Sequence, residues 1–434
     1  MPTPECITPT PDYRQTVREL SDRLVTAQRP IRVLDAIKWS AAVEEAFFAA
    51  GAREQPRVDR EYYARQPLGF DPAAKRQELE ELEREVAHRL GQYNPVGQIM
   101  RRICREYASV VRMLEGRGTP EFCRLSQELY GSSTDALHAG DPNLADLGVM
   151  MAEALANIDR GHYFAAEEKN LTGEEAVAVL GRRVAEAFAD VDAGVRVVLS
   201  DGIVADAAAG ADTIKVRKEA RFNDRDLRLL EVHEGWVHLG TTLNGASQPY
   251  CTFLSKGPPS ATVTQEGLAI FLEIITFTSH PGRVRRVTNR IRAVHMAEEG
   301  ASFLDVYGFF RGQGFNERVS FADASRVFRG STPTGGAFTK DLSYSKGFLL
   351  IYNYIRLAVR QGKLDRIPLL FCGKTTLEDL RVLAQLVEEG LVTKPAFLPP
   401  QLRDLNALAA WMCYSNFLNR LSLDRVAADY AGIL

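Results

Sequence analysis

The chain has 434 residues, 45% hydrophobic and 25% charged, with a formal net charge of -3, enough apolar material for a sizeable core and two or three structural units in one body. The near-neutral balance gives no whole-chain case for nucleic acid. The longest apolar stretches, Leu268 to Phe277 and Phe348 to Ile355, are interrupted by Glu273 and Asn353 and are too short to cross a bilayer.

Met1-Pro2-Thr3-Pro4-Glu5 lacks the basic-then-apolar pattern of a signal peptide. The six cysteines, at 6, 104, 123, 251, 372 and 413, show no paired spacing, so free thiols and a cytoplasmic location are expected. From about residue 11 the pattern is helical nearly throughout. It predicts a helical region, 1–190, packed on a core at 191–434. Between Asp71 and Leu90 an apolar stripe of Leu79, Leu82, Val86 and Leu90 opposes a charged face. Thr119 and Pro120 are expected to cap and open the next helix. His88, His138 and His162 have no carboxylate or second histidine at ligand spacing and read as surface or structural residues.

Beyond Asp190 the character changes. Val195, Val197 and Val198 lead into Leu199-Ser200-Asp201-Gly202, and Ile214 and Val216 alternate with Lys215 and Arg217, predicting a small sheet with Lys215 and Arg217 on an edge strand. Asn223 should cap a helix starting at Asp224, whose acidic first turn suits the helix dipole. That helix carries His233-Glu234-Gly235-Trp236-Val237-His238, two imidazoles flanking a carboxylate, the residue types that hold a metal beside a general base. The histidines are five positions apart rather than four. In a regular helix the second ring would lie about 140° from the first, so the spacing calls for a wide turn of the π-bulge kind at Gly235 to Val237. Trp236 reads as a core residue. Sheet, metal helix and a further helix in that order predict an α+β, predominantly α-helical fold with a zincin-like core.

A catalytic zinc takes three protein ligands. Glu266, 28 positions after His238, is the candidate third. Thr262 and Gln265 have capping-box spacing, which puts Glu266 in the first turn of a helix that small Gly267 and Ala269 would let approach the metal helix. The residues alone leave open that Glu266 only neutralises a helix dipole. Glu273, seven positions on and on the same helical face, is a partner for a ligand histidine's other nitrogen or else a surface charge.

Gln265-Glu266-Gly267-Leu268-Ala269, following the His233 to His238 string, resembles the QEGLA-motif family, which is similar to the microtubule-associated tyrosine carboxypeptidases. The resemblance extends to Ala207-Ala208-Ala209-Gly210-Ala211-Asp212, Gly335-Gly336, Lys340-Asp341 and Gly118-Thr119-Pro120, and covers most of the chain from about residue 30. It implies one zinc ion bound by His233, His238 and Glu266.

With that centre, Glu234 is the expected general base, taking a proton from water and delivering it to a leaving amine. His280 or His295 as a fourth ligand would instead close a structural site. In the segment Gly335 to Gly347, Tyr344 is the candidate stabiliser of a tetrahedral intermediate. Lys340, Arg329 and Lys215 are rival cations for a substrate carboxylate. Against these roles, Tyr344 packs through its ring, Asp341 caps a helix, Lys340 is solvated, and Arg217 points outward. Arg283, Arg285, Arg286, Arg290 and Arg292 make a basic helix face, ordinarily solvated but able to meet an acidic partner. Leu398-Pro399-Pro400 and Leu405 to Leu418 look like closing elements. The expected activity is a zinc metallocarboxypeptidase releasing a Tyr- or Phe-like residue from a peptide or protein C-terminus, with no nucleic-acid or membrane partner. Two rivals remain: release of dipeptides from the amino end, and a non-catalytic zinc-containing regulatory protein.

Overall fold

The computed structural model describes residues 9–160, 168–189, 194–203 and 205–430, so Cys6, His162 and the change of pattern at Asp190 lie outside the described residues. Among the described residues, 65% are helical and the sheet has three short strands, which makes the fold α+β and predominantly helical. No helix among the described residues is long and apolar enough to cross a membrane. Cys104, Cys123, Cys251, Cys372 and Cys413 are free thiols.

The first four helices of more than ten residues are α1 (Pro11–Gln28), α2 (Pro72–Leu90), α3 (Pro95–Glu115) and α4 (Pro120–Tyr130), with short helices at Val33–Ile37, Ala41–Ala49 and Arg60–Ala64 between the first two. Each of the four begins with proline, whose fixed φ suits the first turn and whose missing N–H costs nothing there. Thr10, Asp71 and Asn94 cap the first three through their side chains. Thr119 stands at the cap of α4 but makes no capping bond. Its hydroxyl donates instead to the Gly116 carbonyl at 2.7 Å. The turn is set by Gly118, at φ +74 and so close to Arg60 that a Cβ would lie 2.7 Å from its backbone. Leu79, Leu82 and Val86 are buried as the stripe predicts.

Further on come α5 (Gly173–Ala187), β1 (Arg196–Ser200), β2 (Ala207–Ala209) and β3 (Thr213–Arg217). β3 pairs in parallel with β1 and antiparallel with β2. The strand order β1-β3-β2 therefore makes β3 central, not an edge, and gives the edge to the three-alanine β2. Lys215 is exposed on the face of β3 opposite buried Ile214 and Val216. Helix α6 (Asp224–Leu230) opens with a reciprocal capping box between Asn223 and Asp226 and runs directly into a π-helix, Glu231–Leu239. The site is completed by α7 (Pro259–Ile275), α8 (Pro281–Glu298), α9 (Glu317–Phe328) and α10 (Ser343–Arg360), and α11 (Leu405–Leu418) follows near the end.

The largest apolar core joins both halves of the chain: Leu20, Leu79, Val110 and Leu125 pack in one cluster with Leu268, Phe271, Ile351 and Ile355. A second, aromatic core gathers Phe47, Phe303, Phe321 and Phe328. The third lies between α5 and the sheet and includes Leu180, Val184, Ile214 and Val216. The π-helix sits between cores, giving Val232 and Val237 to the first and Trp236 and Leu239 to the third. Leu408 and Met412 of α11 pack on the first core, while Trp411, Tyr414 and Phe417 face outward.

Candidate metal centre

The awkward histidine spacing is resolved by the backbone. Bonding over i→i+5 brings residues five apart round to one face, and the rings of His233 and His238 lie with centroids 4.8 Å apart. The wide turn is longer than the sequence predicts, running through nine residues rather than Gly235 to Val237 alone. Its carbonyls are collected by side chains beyond it. The Thr241 hydroxyl donates to Val237 O at 2.6 Å, and the Thr242 hydroxyl to His238 O at 2.7 Å. Lys374 Nζ donates to the same His238 carbonyl at 2.8 Å and to Gln265 Oε1 at 2.8 Å. Trp236 turns away from this face and stacks on Phe188, as a core residue should.

Glu266 comes from α7, but not from its first turn. Pro258 and Pro259 start that helix earlier than the Thr262 and Gln265 pattern suggests. Gln265 does not cap it: its side chain accepts from Thr241 and Lys374. Gly267 does permit a close helix approach, yet to α10 rather than to the metal helix. A Cβ on Gly267 would fall 2.1 Å from the carbonyl carbon of Gly347.

Glu266 Oε2 lies 3.4 Å from His233 Nε2 and 3.5 Å from His238 Nε2. It is buried without a hydrogen-bond partner among the described residues. Among those residues, these three side chains form the one group of His, Cys, Asp and Glu able to hold a metal, with ligand atoms within 4.8 Å of one another. An orphaned carboxylate oxygen facing two imidazole nitrogens fits a cation: left to itself, a buried unbonded acceptor is costly. Two nitrogens and one oxygen are a donor set suited to zinc. His295 instead contacts the Ser133 hydroxyl at 3.0 Å, and His280 stands at the cap of α8. His88 and His138 are exposed.

Around this group lie the other expected residues. Glu273, fully buried, lies with Oε1 2.7 Å from His233 Nδ1, so Nδ1 carries the hydrogen and Nε2 is left for the centre. Arg283 grips the same carboxylate with two bonds, 3.0 and 2.9 Å. Burial alone would raise the pKa of Glu273, but Arg283 and His233 outweigh it and hold the group at about 2. Burial disfavours a charged His233, yet Glu266, Glu273 and Glu234 push it up to about 10. Glu266 is held well below the usual range, because Lys340 and the two histidines overcome its burial. Glu234 accepts from Ala209 N–H on the edge strand at 2.8 Å, and its other oxygen lies 4.0 Å from His233 Nε2.

Lys340 is not solvated: its Nζ donates to Glu266 Oε1 at 3.3 Å. The ring of Tyr344 stacks beside His233 at 6.3 Å, with the Arg290 guanidinium 5.0 Å from its centroid. Asp341 does not cap α10 but takes two bonds from Arg326, 2.8 and 2.7 Å. Arg329 is 7% exposed and lies over Phe338. Arg217 pairs with Asp206. The basic run on α8 is not a solvated face either, since Arg283 and Arg290 are turned into the protein. Lys374 carried no signal in sequence; burial pushes its pKa down to about 7 although Glu266 and Glu234 act against that.

A mostly helical body thus presents a buried His-His-Glu group, competent for a metal, next to a carboxylate held by a sheet edge. The chain belongs to the microtubule-associated tyrosine carboxypeptidase family, whose model matches residues 45–420. Carboxypeptidase-type activity is what this family membership supports. No curated protein matches the chain.

Proposed function

We propose that the protein is a zinc-dependent carboxypeptidase that releases a Tyr- or Phe-like residue from a peptide or protein C-terminus. The observation that carries this reading is the unpartnered Glu266 Oε2 facing Nε2 of both histidines, with Glu234 fixed alongside by Ala209. His233, His238 and Glu266 would hold the ion. Zinc there supplies Lewis acidity, polarising a scissile carbonyl and lowering the pKa of water.

The chain's own residues do the rest. Glu234, anchored through Oε2, keeps its other oxygen free to take a proton from water and pass it to the leaving amine. Glu273 fixes the His233 tautomer and ring plane, and Arg283 fixes Glu273. Lys340 orients Glu266. Tyr344, beside His233, donates to the developing oxyanion. Edge strand β2 borders Glu234 and offers backbone groups to an extended peptide. Lys215, on the far face of the sheet, has no part in this arrangement. The preference for an aromatic last residue rests on the family's tyrosine carboxypeptidase description. The cytoplasm is the compartment we assign, and the free thiols support it.

The test is product analysis on a defined peptide ending in tyrosine, with zinc present. Free tyrosine is expected. Dipeptides from the amino end, or no cleavage of any peptide, would overturn the proposal.

A further inference from the structure

Helix α11 is apolar on every side. No charged residue falls between Leu405 and Asn419, and a helix of that composition is ordinarily buried all round. Here only its inner side is. Leu408 and Met412 enter the first core, and polar contacts tie the same helix to α10: the Tyr352 hydroxyl meets that of Ser415, Asn419 Nδ2 donates to the Tyr352 hydroxyl at 3.2 Å, and Arg356 Nε donates to Asn416 Oδ1 at 3.2 Å. The outer side is thus held in place and left open. Trp411, Tyr414, Phe417 and Leu418 are 44%, 72%, 62% and 55% exposed, and Leu421, in the turn that follows, is 47% exposed.

A second apolar stripe lies open just beyond. Helix α12 (Leu423–Tyr430) carries Leu423, Val426, Ala427 and Tyr430, at the i, i+3, i+4, i+7 spacing that puts them on one side. Leu423 is 80% exposed and Tyr430 49%. Within one chain, therefore, the two stripes do not cover each other.

Spacing, charge and area together say what does. Ala407, Trp411, Tyr414 and Leu418 recur at steps of four, three and four, the seam of one helix packed on another. Between residues 405 and 430 the charges are Arg420 and Arg425 against Asp424 and Asp429. That balance offers nothing to a strongly acidic or basic partner, and it lacks the Lys- and Arg-rich polar face of a helix that lies in a lipid surface. With about 200 Å² to each aromatic side chain and somewhat less to each leucine, the exposed parts of the two stripes amount to about 700 Å². This exceeds the roughly 300–600 Å² of the largest apolar patch on a typical monomer and approaches the roughly 800 Å² that each partner gives to a stable interface.

We propose that the two stripes are the interface with a second copy of this chain, the α12 of each copy lying along the α11 of the other about a two-fold axis. Such an interface uses one patch twice, each contact from the first copy to the second being repeated in reverse, so each α12 covers the α11 face that the other chain leaves open. The pair buries about 1,400 Å² in all, inside the range of about 1,200–2,000 Å² for specific complexes. The pairing is independent of the carboxypeptidase reading.

Sedimentation equilibrium of the full chain, from nanomolar to about 100 µM, tests it. A species of twice 48.2 kDa is expected, with a dissociation constant of about 1 µM or tighter. Tyr414→Lys, in the middle of the α11 face, should raise that constant at least about 30-fold, and Leu423→Lys on α12 should raise it about tenfold or more. Both side chains face water in the single chain, so at a concentration where wild type is dissociated the variants should melt at the wild-type temperature. A wild type that stays monomeric throughout overturns the proposal, and so does a Tyr414→Lys or Leu423→Lys protein that pairs as tightly as wild type. A variant that fails to fold, or melts lower as a monomer, shows the face packed on its own chain and overturns it too. Flotation of a monomeric wild type with phosphatidylcholine–phosphatidylserine vesicles, lost in Tyr414→Lys, would give the surface to a membrane instead.

Discussion

Replacing Gly267 by alanine tests how Glu266 is held in place. Helices α7 and α10 cross with Gly267 against Gly347, and a Cβ on Gly267 would sit 2.1 Å from the Gly347 carbonyl carbon and 2.3 Å from its oxygen. Ordinary contact begins near 3.4 Å, so the helices must part by about 1.3 Å, and no flexible side chain is there to yield. Overpacking typically costs about 1–3 kcal/mol, and backbone meeting backbone puts this case at the upper end, about 3 kcal/mol. At about 2 °C per kcal/mol for a long chain, the melting temperature should fall by about 6 °C. The adjacent Glu266 moves with its helix, far outside the roughly 0.2 Å tolerance of a ligand distance, so zinc affinity should drop at least tenfold, by order of magnitude. Thermal melts with and without zinc, together with a competition titration against a chromophoric chelator, read both effects. Gly347→Ala, whose Cβ would lie 2.0 Å from Val263 O, should behave alike. Wild-type melting and zinc affinity in Gly267→Ala would refute the reasoning.

Other consequences follow from the buried charges. Glu273→Gln leaves Arg283 buried beside a neutral amide; denaturant unfolding should show a loss of about 3 kcal/mol, and zinc affinity should fall about 10- to 100-fold. An unchanged zinc affinity would mean that Glu273 does not position His233. In the metal-free protein two groups oppose each other with pH. His233, raised from 6.5 to about 10, gives stability that is complete below about 6.5 and lost as pH climbs to 10. Lys374, lowered from 10.5 to about 7, imposes a penalty that is complete below about 7 and relieved as pH climbs to 10.5. Lys374→Met removes the second effect, so the stability of the metal-free variant should decline from pH 7 to 10 more steeply than that of wild type; parallel curves would contradict the assignment. Asn223→Ala, which breaks the capping box ahead of the π-helix, should cost about 1 kcal/mol in denaturant unfolding, and no loss would show the cap to be idle.

What could be read from sequence was what is local in sequence. The two histidines and Glu234 occupy six consecutive positions, and their spacing by itself forces a choice between a wide turn and no shared metal. Glu273 was within reach for a similar reason, being two turns beyond Glu266 on one helix face. The errors have physical causes. Three consecutive alanines carry little β propensity, so the sequence does not disclose β2 and points to β3 as the edge strand instead. A Thr-to-Gln capping pattern lost to Pro259, which starts α7 nearly a turn before Thr262 and leaves Gln265 to bond Thr241 and Lys374. Long-range pairing accounts for the rest. Lys374 reaches a carbonyl 136 positions away, and the arginines of α8 look like a solvated stripe until Glu273, Asp323 and Asp341 are brought against them.

The central claim is that Glu234 acts on a substrate held at a zinc bound by His233, His238 and Glu266. It is tested most directly by measuring release of the terminal tyrosine from one peptide by wild type and Glu234→Gln, with zinc content determined in the same samples. Glutamine still accepts the Ala209 N–H, so both proteins should carry one zinc per chain while the variant loses activity by about 10²- to 10⁴-fold. A zinc-free active wild type, or a Glu234→Gln protein that releases tyrosine at the wild-type rate, would contradict the account.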